Sequence, residues 1–114
     1  MIITFFVIGM MTQAQESKID IESLKEIEVS LTKIKQFDFF EFTEESVPIL
    51  AIDGDEYIIP QGSYIIIDLK KNGNGNIKWV TISSMDDQII TLSFKDLVEV
   101  YKKKKILITR FVPK

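Results

Sequence analysis

The chain has no cysteine, and with it go disulfides, thiolate nucleophiles and cysteine metal sites. Redox chemistry therefore says nothing about its compartment. Histidine is absent too, which removes the usual general base near neutral pH and the commonest transition-metal ligand. Ser-His-Asp, Cys-His and His-ligated zinc mechanisms are excluded within these 114 residues, and few enzyme classes remain. Basic charge is also missing where a secretory leader would carry it, because no Lys or Arg precedes the apolar run at the N-terminus.

That run, Met1 to Met11, is far shorter than the ~20 residues a spanning helix needs. It has the length of a signal-peptide core, with Thr12 and Ala14 at the small positions before a cleavage site and Gln15 as the new N-terminus. Residues 1–14 are accordingly read as a secretory signal, which implies a periplasmic or secreted protein. The competing readings are a buried N-terminal strand over Ile2–Ile8, which would make the protein cytoplasmic, and a retained anchor.

What remains, 15–114, suits a single globular domain, with 46% hydrophobic residues in the full chain. Net charge is −3 and the pI is near 5.0, which argues against nucleic acid, and against membranes beyond the signal segment. The charge is uneven: residues 15–60 balance at −8 and 61–114 at +5. These become separate patches only if the fold keeps the halves apart.

The clearest structural signal is Tyr64–Ser83, two apolar runs around Asn72-Gly73-Asn74-Gly75-Asn76. Asn and Gly tolerate the backbone angles of a reversal, and the β-branched and aromatic flanks favour a pleated surface, so this is a β-hairpin. Both strands are apolar on both faces, which places the hairpin centrally in its sheet. Strict alternation groups Ile65, Ile67 and Leu69 on one face and Tyr64 with Ile66 on the other. The tip matches neither a dinucleotide fingerprint, since a strand follows it, nor a calcium loop, since its asparagines carry no charge. Asp53-Gly54-Asp55-Glu56 is a second turn signal. A calcium loop opening at Asp53 fails on spacing, with Ile58 where a Gly and Tyr64 where a closing Glu are needed.

Upstream, Ile21, Leu24, Ile27, Leu31 and Ile34 recur at steps of three and four, which predicts an amphipathic helix over 20–36 capped by Asp20. Ile27, Val29 and Leu31 also alternate as in a strand. Phe37–Phe42 reads as a short aromatic strand, and Pro48 puts Ile49–Ile52 at a strand start or edge. Downstream, Ser93 with Asp96 approximates a capping box, and Phe94, Leu97, Val98 and Tyr101 share one helical face. Lys102–Lys105 would close that helix, and Ile106–Phe111 gives a last strand; a hairpin over 98–111 is the alternative. The expected fold is thus α+β: one small, mainly antiparallel sheet of about five to seven strands, with an N-terminal amphipathic helix and a short C-terminal helix.

For function, the missing catalytic residues and the acidic first half point to a small non-catalytic binding or inhibitory protein that needs no cofactor and acts through another protein. The candidate interface is Phe39, Glu41, Glu44, Glu45, Asp53, Asp55 and Glu56, because an acidic face can occupy a basic cleft. Pairing through the final strand would give a homo-oligomer. The alternatives are an exported structural component of the envelope and, if residues 1–14 are not a signal, a cytoplasmic inhibitor of a nucleic-acid-processing enzyme. A third reading is a carboxylate hydrolase using Asp53 with Asp55, or Glu41 with Glu44.

Overall fold

The alternation of Ile27, Val29 and Leu31 prevails over the helical periodicity. A computed structural model of the protein describes residues 23–114, and in it Leu24–Glu28 is a strand, β1, followed by a single 3-10 turn at Leu31–Lys33. The helix expected over 20–36 is therefore replaced from Leu24 onward; its first residues, like the signal segment 1–14, lie outside the described residues. The physical reason is pairing. β1 lies antiparallel to the C-terminal strand from Leu24↔Pro113 to Glu28↔Thr109, and Val29 N–H extends the contact to Ile108 O at 2.9 Å. Val29, Leu31 and Ile34 then turn into the core.

The remaining elements are β2 (Phe39–Phe42), β3 (Ile49–Leu50), β4 (Glu56–Tyr57), β5 (Gly62–Lys71), β6 (Ile77–Ser84), β7 (Ile89–Ser93), α1 (Phe94–Lys102) and β8 (Ile106–Pro113). Six strands form an antiparallel sheet in the order β1-β8-β2-β5-β6-β7, and β3 and β4 form a separate two-stranded arm. The result is a small domain, mostly antiparallel sheet, with one short helix among the described residues. The order also mixes the two charge halves, because β2 sits between β5 and β8 and β1 lies against β8.

The central hairpin is as the sequence predicts. Asn72 Oδ1 accepts the amides of Asn74 at 2.9 Å and Asn76 at 3.2 Å, and Gly75 takes a φ of +82° that disfavours any side chain. The facial grouping needs correction. The register slips between Ile66 and Asp68, so Ile66 opposes Ile82 but Leu69 opposes Val80. The extra residue in β5 is a bulge, and it returns Leu69 to the same face as Tyr64 and Ile66. That face carries the core, with Phe40, Phe42, Ile106 and Ile108 from the neighbouring strands and Leu97 and Val100 from α1.

The helix begins as expected: Ser93 Oγ accepts the Asp96 amide at 3.3 Å. The reciprocal half of the capping box is absent, because Asp96 Oδ2 instead accepts the Leu50 amide at 2.9 Å. That bond ties the β3–β4 arm to α1. The arm is held further by Ile52 N–H to Thr91 O at 3.0 Å and by a bridge between Ala51 and Leu92. At its root, the buried Ser46 hydroxyl accepts the Ile59 amide at 2.7 Å.

Candidate functional site

Between the arm and one end of the sheet lies a cleft of about 820 Å³. One wall is Ala51–Asp53 and Tyr57–Tyr64; the other is the β6–β7 turn and the start of β7, from Ser84 to Thr91. The cleft exists because the arm leaves the sheet after meeting Thr91 and Leu92, and Pro60-Gln61-Gly62 brings the chain back only at the start of β5. Gly62, at φ +146°, makes that return.

Apolar side chains are left open around this cleft. Ile58 is 53% exposed, Ile89 62% and Met85 70%, with Ile52 and Tyr57 also accessible. Such exposure on a small domain marks a contact surface when the residues converge on one concavity. The charged groups among the wall residues are Asp53 and Asp86. Asp53 is held on both oxygens: Oδ2 accepts the Tyr57 hydroxyl at 2.5 Å and Oδ1 accepts the Asp55 amide at 2.9 Å. These bonds favour the ionised form, so the Asp53 carboxyl titrates below its ordinary value of 3.8, chiefly through the Tyr57 hydroxyl. The same bond raises Tyr57 above its ordinary 10.0. Tyr64, which donates to Pro60 O at 2.8 Å, is raised by burial.

The signs set a pH window. Asp53 is depressed in the folded state, so its contribution is present above 3.8 and lost as pH falls through the lower folded value. Tyr57 is raised, so its contribution is present below 10.0 and lost as pH rises through the higher folded value. An alkaline titration followed by tyrosinate absorbance checks the pair: Asp53→Asn moves one late-titrating tyrosine toward 10.0, and Tyr57→Phe removes it. An unchanged curve in Asp53→Asn would show that the two groups do not interact.

The sequence-derived interface is distributed over three places. Phe39 and Glu41 lie on the sheet face away from α1, where the Phe39 ring meets Phe111 edge-on at 5.8 Å and Glu41 stands opposite Ser63. Glu44 pairs with Lys105 Nζ at 3.2 Å, close to the end of α1, and Glu45 is exposed in the following loop. Asp53, Asp55 and Glu56 are on the arm, and of these Asp53 lines the cleft. The Asp53–Asp55 contact is from the Asp55 backbone amide to the Asp53 carboxylate.

The sequence reading missed the cleft's other residues: Ile52, Ile58, Met85, Asp86 and Ile89 come from two segments more than twenty positions apart. Their one local signal is apolar residues directly beside turn residues, Ile52 before Asp53-Gly54 and Met85 before Asp86-Asp87. Among the described residues no cluster of carboxylates is placed to hold a metal, and no helix is long and apolar enough to cross a membrane. Comparison with known proteins adds no relative: no family model, no curated protein and no solved structure matches the chain.

Proposed function

We propose that the protein is a small non-catalytic binding domain, acting on another protein through the cleft between the β3–β4 arm and the β6–β7 turn. The observation that carries this reading is the convergence of Ile52, Tyr57, Ile58, Met85 and Ile89, all left exposed, on a concavity of about 820 Å³. Specific sites combine apolar walls with a few fixed polar groups, and here Asp53 is the fixed group. Asp55 and Glu56 lie beside Asp53 on the arm, whereas Phe39, Glu41, Glu44 and Glu45 lie elsewhere, which narrows the acidic interface to the arm. A domain of this kind can inhibit by occupying a partner's functional surface.

A neutral solvatochromic dye, Nile red, tests the cleft whatever the partner's identity. Its fluorescence rises and shifts to the blue on the native protein, and Ile58→Asp and Ile89→Asp each abolish most of that rise. Both side chains are more than half exposed, so neither substitution disturbs the core. Phe111→Asp, on the sheet face away from α1, leaves the signal in place. Equal enhancement by all four proteins would remove the cleft as the binding site.

A further inference from the structure

Both walls of the cleft come from stretches of chain without a single basic residue. From Gln36 to Leu69 there is no Lys or Arg, and from Trp79 to Phe94 there is none either; every wall residue lies in one of these two stretches. The same stretches hold ten carboxylates, including Asp53, Asp55 and Glu56 on the arm and Asp86 and Asp87 on the facing turn. The molecule's lysines all lie outside these two stretches, among them Lys70, Lys71 and Lys78 toward the tip of the central hairpin, Lys95 on α1 and Lys102 to Lys105 at its end. The cleft is thus apolar within and negative at both lips, whereas the whole chain is only −3.

The backbone beside it is also open. Ser84 N–H donates to Gln88 O at 2.9 Å, which closes the β6–β7 hairpin and fixes its alternation. By that alternation Ile89 and Thr91 turn their peptide groups away from β6. Thr91 O accepts Ile52 N–H, but the arm ends there, and among the described residues nothing bonds the outward groups of Ile89. A short length of unpaired strand edge, at Ile89, therefore lies along one wall of the cleft.

Resting on the binding reading above, we infer that the occupant is an extended segment of a partner polypeptide carrying Lys or Arg between apolar side chains. Its backbone pairs with the edge at Ile89, its apolar side chains meet Ile58 and Met85, and its cations lie against Asp53 and Asp86. Strand addition supplies main-chain bonds, and alternate side chains supply selectivity. Tyr57 and the Asp55 amide keep the Asp53 carboxylate oriented for the contact.

Three blocked hexapeptides that alternate leucine with lysine, glutamate or serine test this, titrated into the ¹⁵N-labelled protein and read by backbone amide shifts. The lysine peptide shifts Ile52, Ile58 and Ile89 and binds at least about tenfold more tightly than the other two at low ionic strength, an advantage that added salt erodes. The double variant Asp53→Asn, Asp86→Asn, exposed at both positions, brings it down to the serine peptide. Equal affinities, or shifts confined to another face, overturn the assignment. If Nile red binding depends on Ile58 and Ile89 while none of the peptides binds, the cleft stands and the cationic segment falls; if the dye result fails as well, both fall.

Discussion

Asp38→Ala destabilises the domain by about 2–3 kcal/mol, as expected for removing the buried acceptor of charge-assisted hydrogen bonds. Asp38 is 2% exposed, and Arg110 reaches it in a two-pronged contact, Nε to Oδ1 at 2.7 Å and Nη2 to Oδ2 at 2.8 Å. The Lys35 amide also donates to Oδ2 at 2.8 Å, and Arg110 Nη2 donates to Lys33 O at 3.0 Å. The carboxylate thus holds four things at once: the 3-10 turn, the entry to β2, strand β8, and the Phe37–Asp38 peptides that bond Ile66 of β5. Its bond pushes the Arg110 guanidinium still further toward the charged form. In the alanine variant the guanidinium loses its fixed partner, and the Lys35 amide loses its acceptor.

A typical domain has ~5–15 kcal/mol in total, so the loss removes a substantial share of the stability while leaving a folded state to measure. Urea denaturation followed by far-UV circular dichroism measures the loss. Arg110→Ala costs at least as much, because it leaves the 2%-exposed Asp38 carboxylate without its cation, whereas Asp38→Ala leaves behind a guanidinium that is already partly exposed. The double variant falls short of the sum, since the two side chains share one interaction. A cost below about 1 kcal/mol for Asp38→Ala would mean that the pair contributes no more than a surface salt bridge.

This pair also shows where sequence reading stops. Asp38 stands between aromatics in Phe37–Phe42, and Arg110 is the single charge within Ile106–Val112. Each alone is a polar interruption of an apolar strand, and only the fold, across 72 positions, makes one the answer to the other. Local chemistry was legible wherever it is local. The Asn-Gly loop, the Asp53-Gly54 turn, the Ser93 cap and the helix that follows it all depend on residues within a few positions of one another. The strand at Leu24–Glu28 was not, because its preference is decided by a partner at the far end of the chain, Thr109–Pro113. Nor was the bulge at Ile66–Asp68, which moves Leu69 across the sheet while leaving the alternating pattern of the sequence intact. The cleft fell to the same limit: it forms between a turn and a two-stranded arm that is held to α1 by the Leu50 bond and to β7 by Ala51 and Ile52, all of them contacts distant in sequence. Splitting the charge into two halves failed for a topological reason, since β2 is inserted between two strands of the basic half and Glu44 is paired with Lys105.

Phe42→Ala should cost about 3–5 kcal/mol, while Phe39→Ala, three positions earlier on the same strand, should cost about 1 kcal/mol or less. Phe42 is fully buried; its ring meets Phe40 at 6.5 Å and Tyr64 at 5.5 Å, both edge-on, and it lies in register between Ile106 of β8 and Gly62 of β5. Truncation leaves a cavity that three strands cannot all close together, and it also removes two aromatic pairs worth about 0.5–1.5 kcal/mol each. Phe39 faces the other way. Among the described residues its ring neighbour is Phe111, which is half exposed, so water can occupy the space a truncation leaves. Thermal unfolding of the two variants reads the difference directly. The contrast decides between two uses of this aromatic strand, because a strand serving mainly as a docking patch would lose little at Phe42 and much of its partner affinity at Phe39. With Phe42 at the junction of β8, β2 and β5, the strand's first duty is to the core, and the cleft proposed for partner contact lies instead at the start of β5, where Tyr64 closes the same aromatic row.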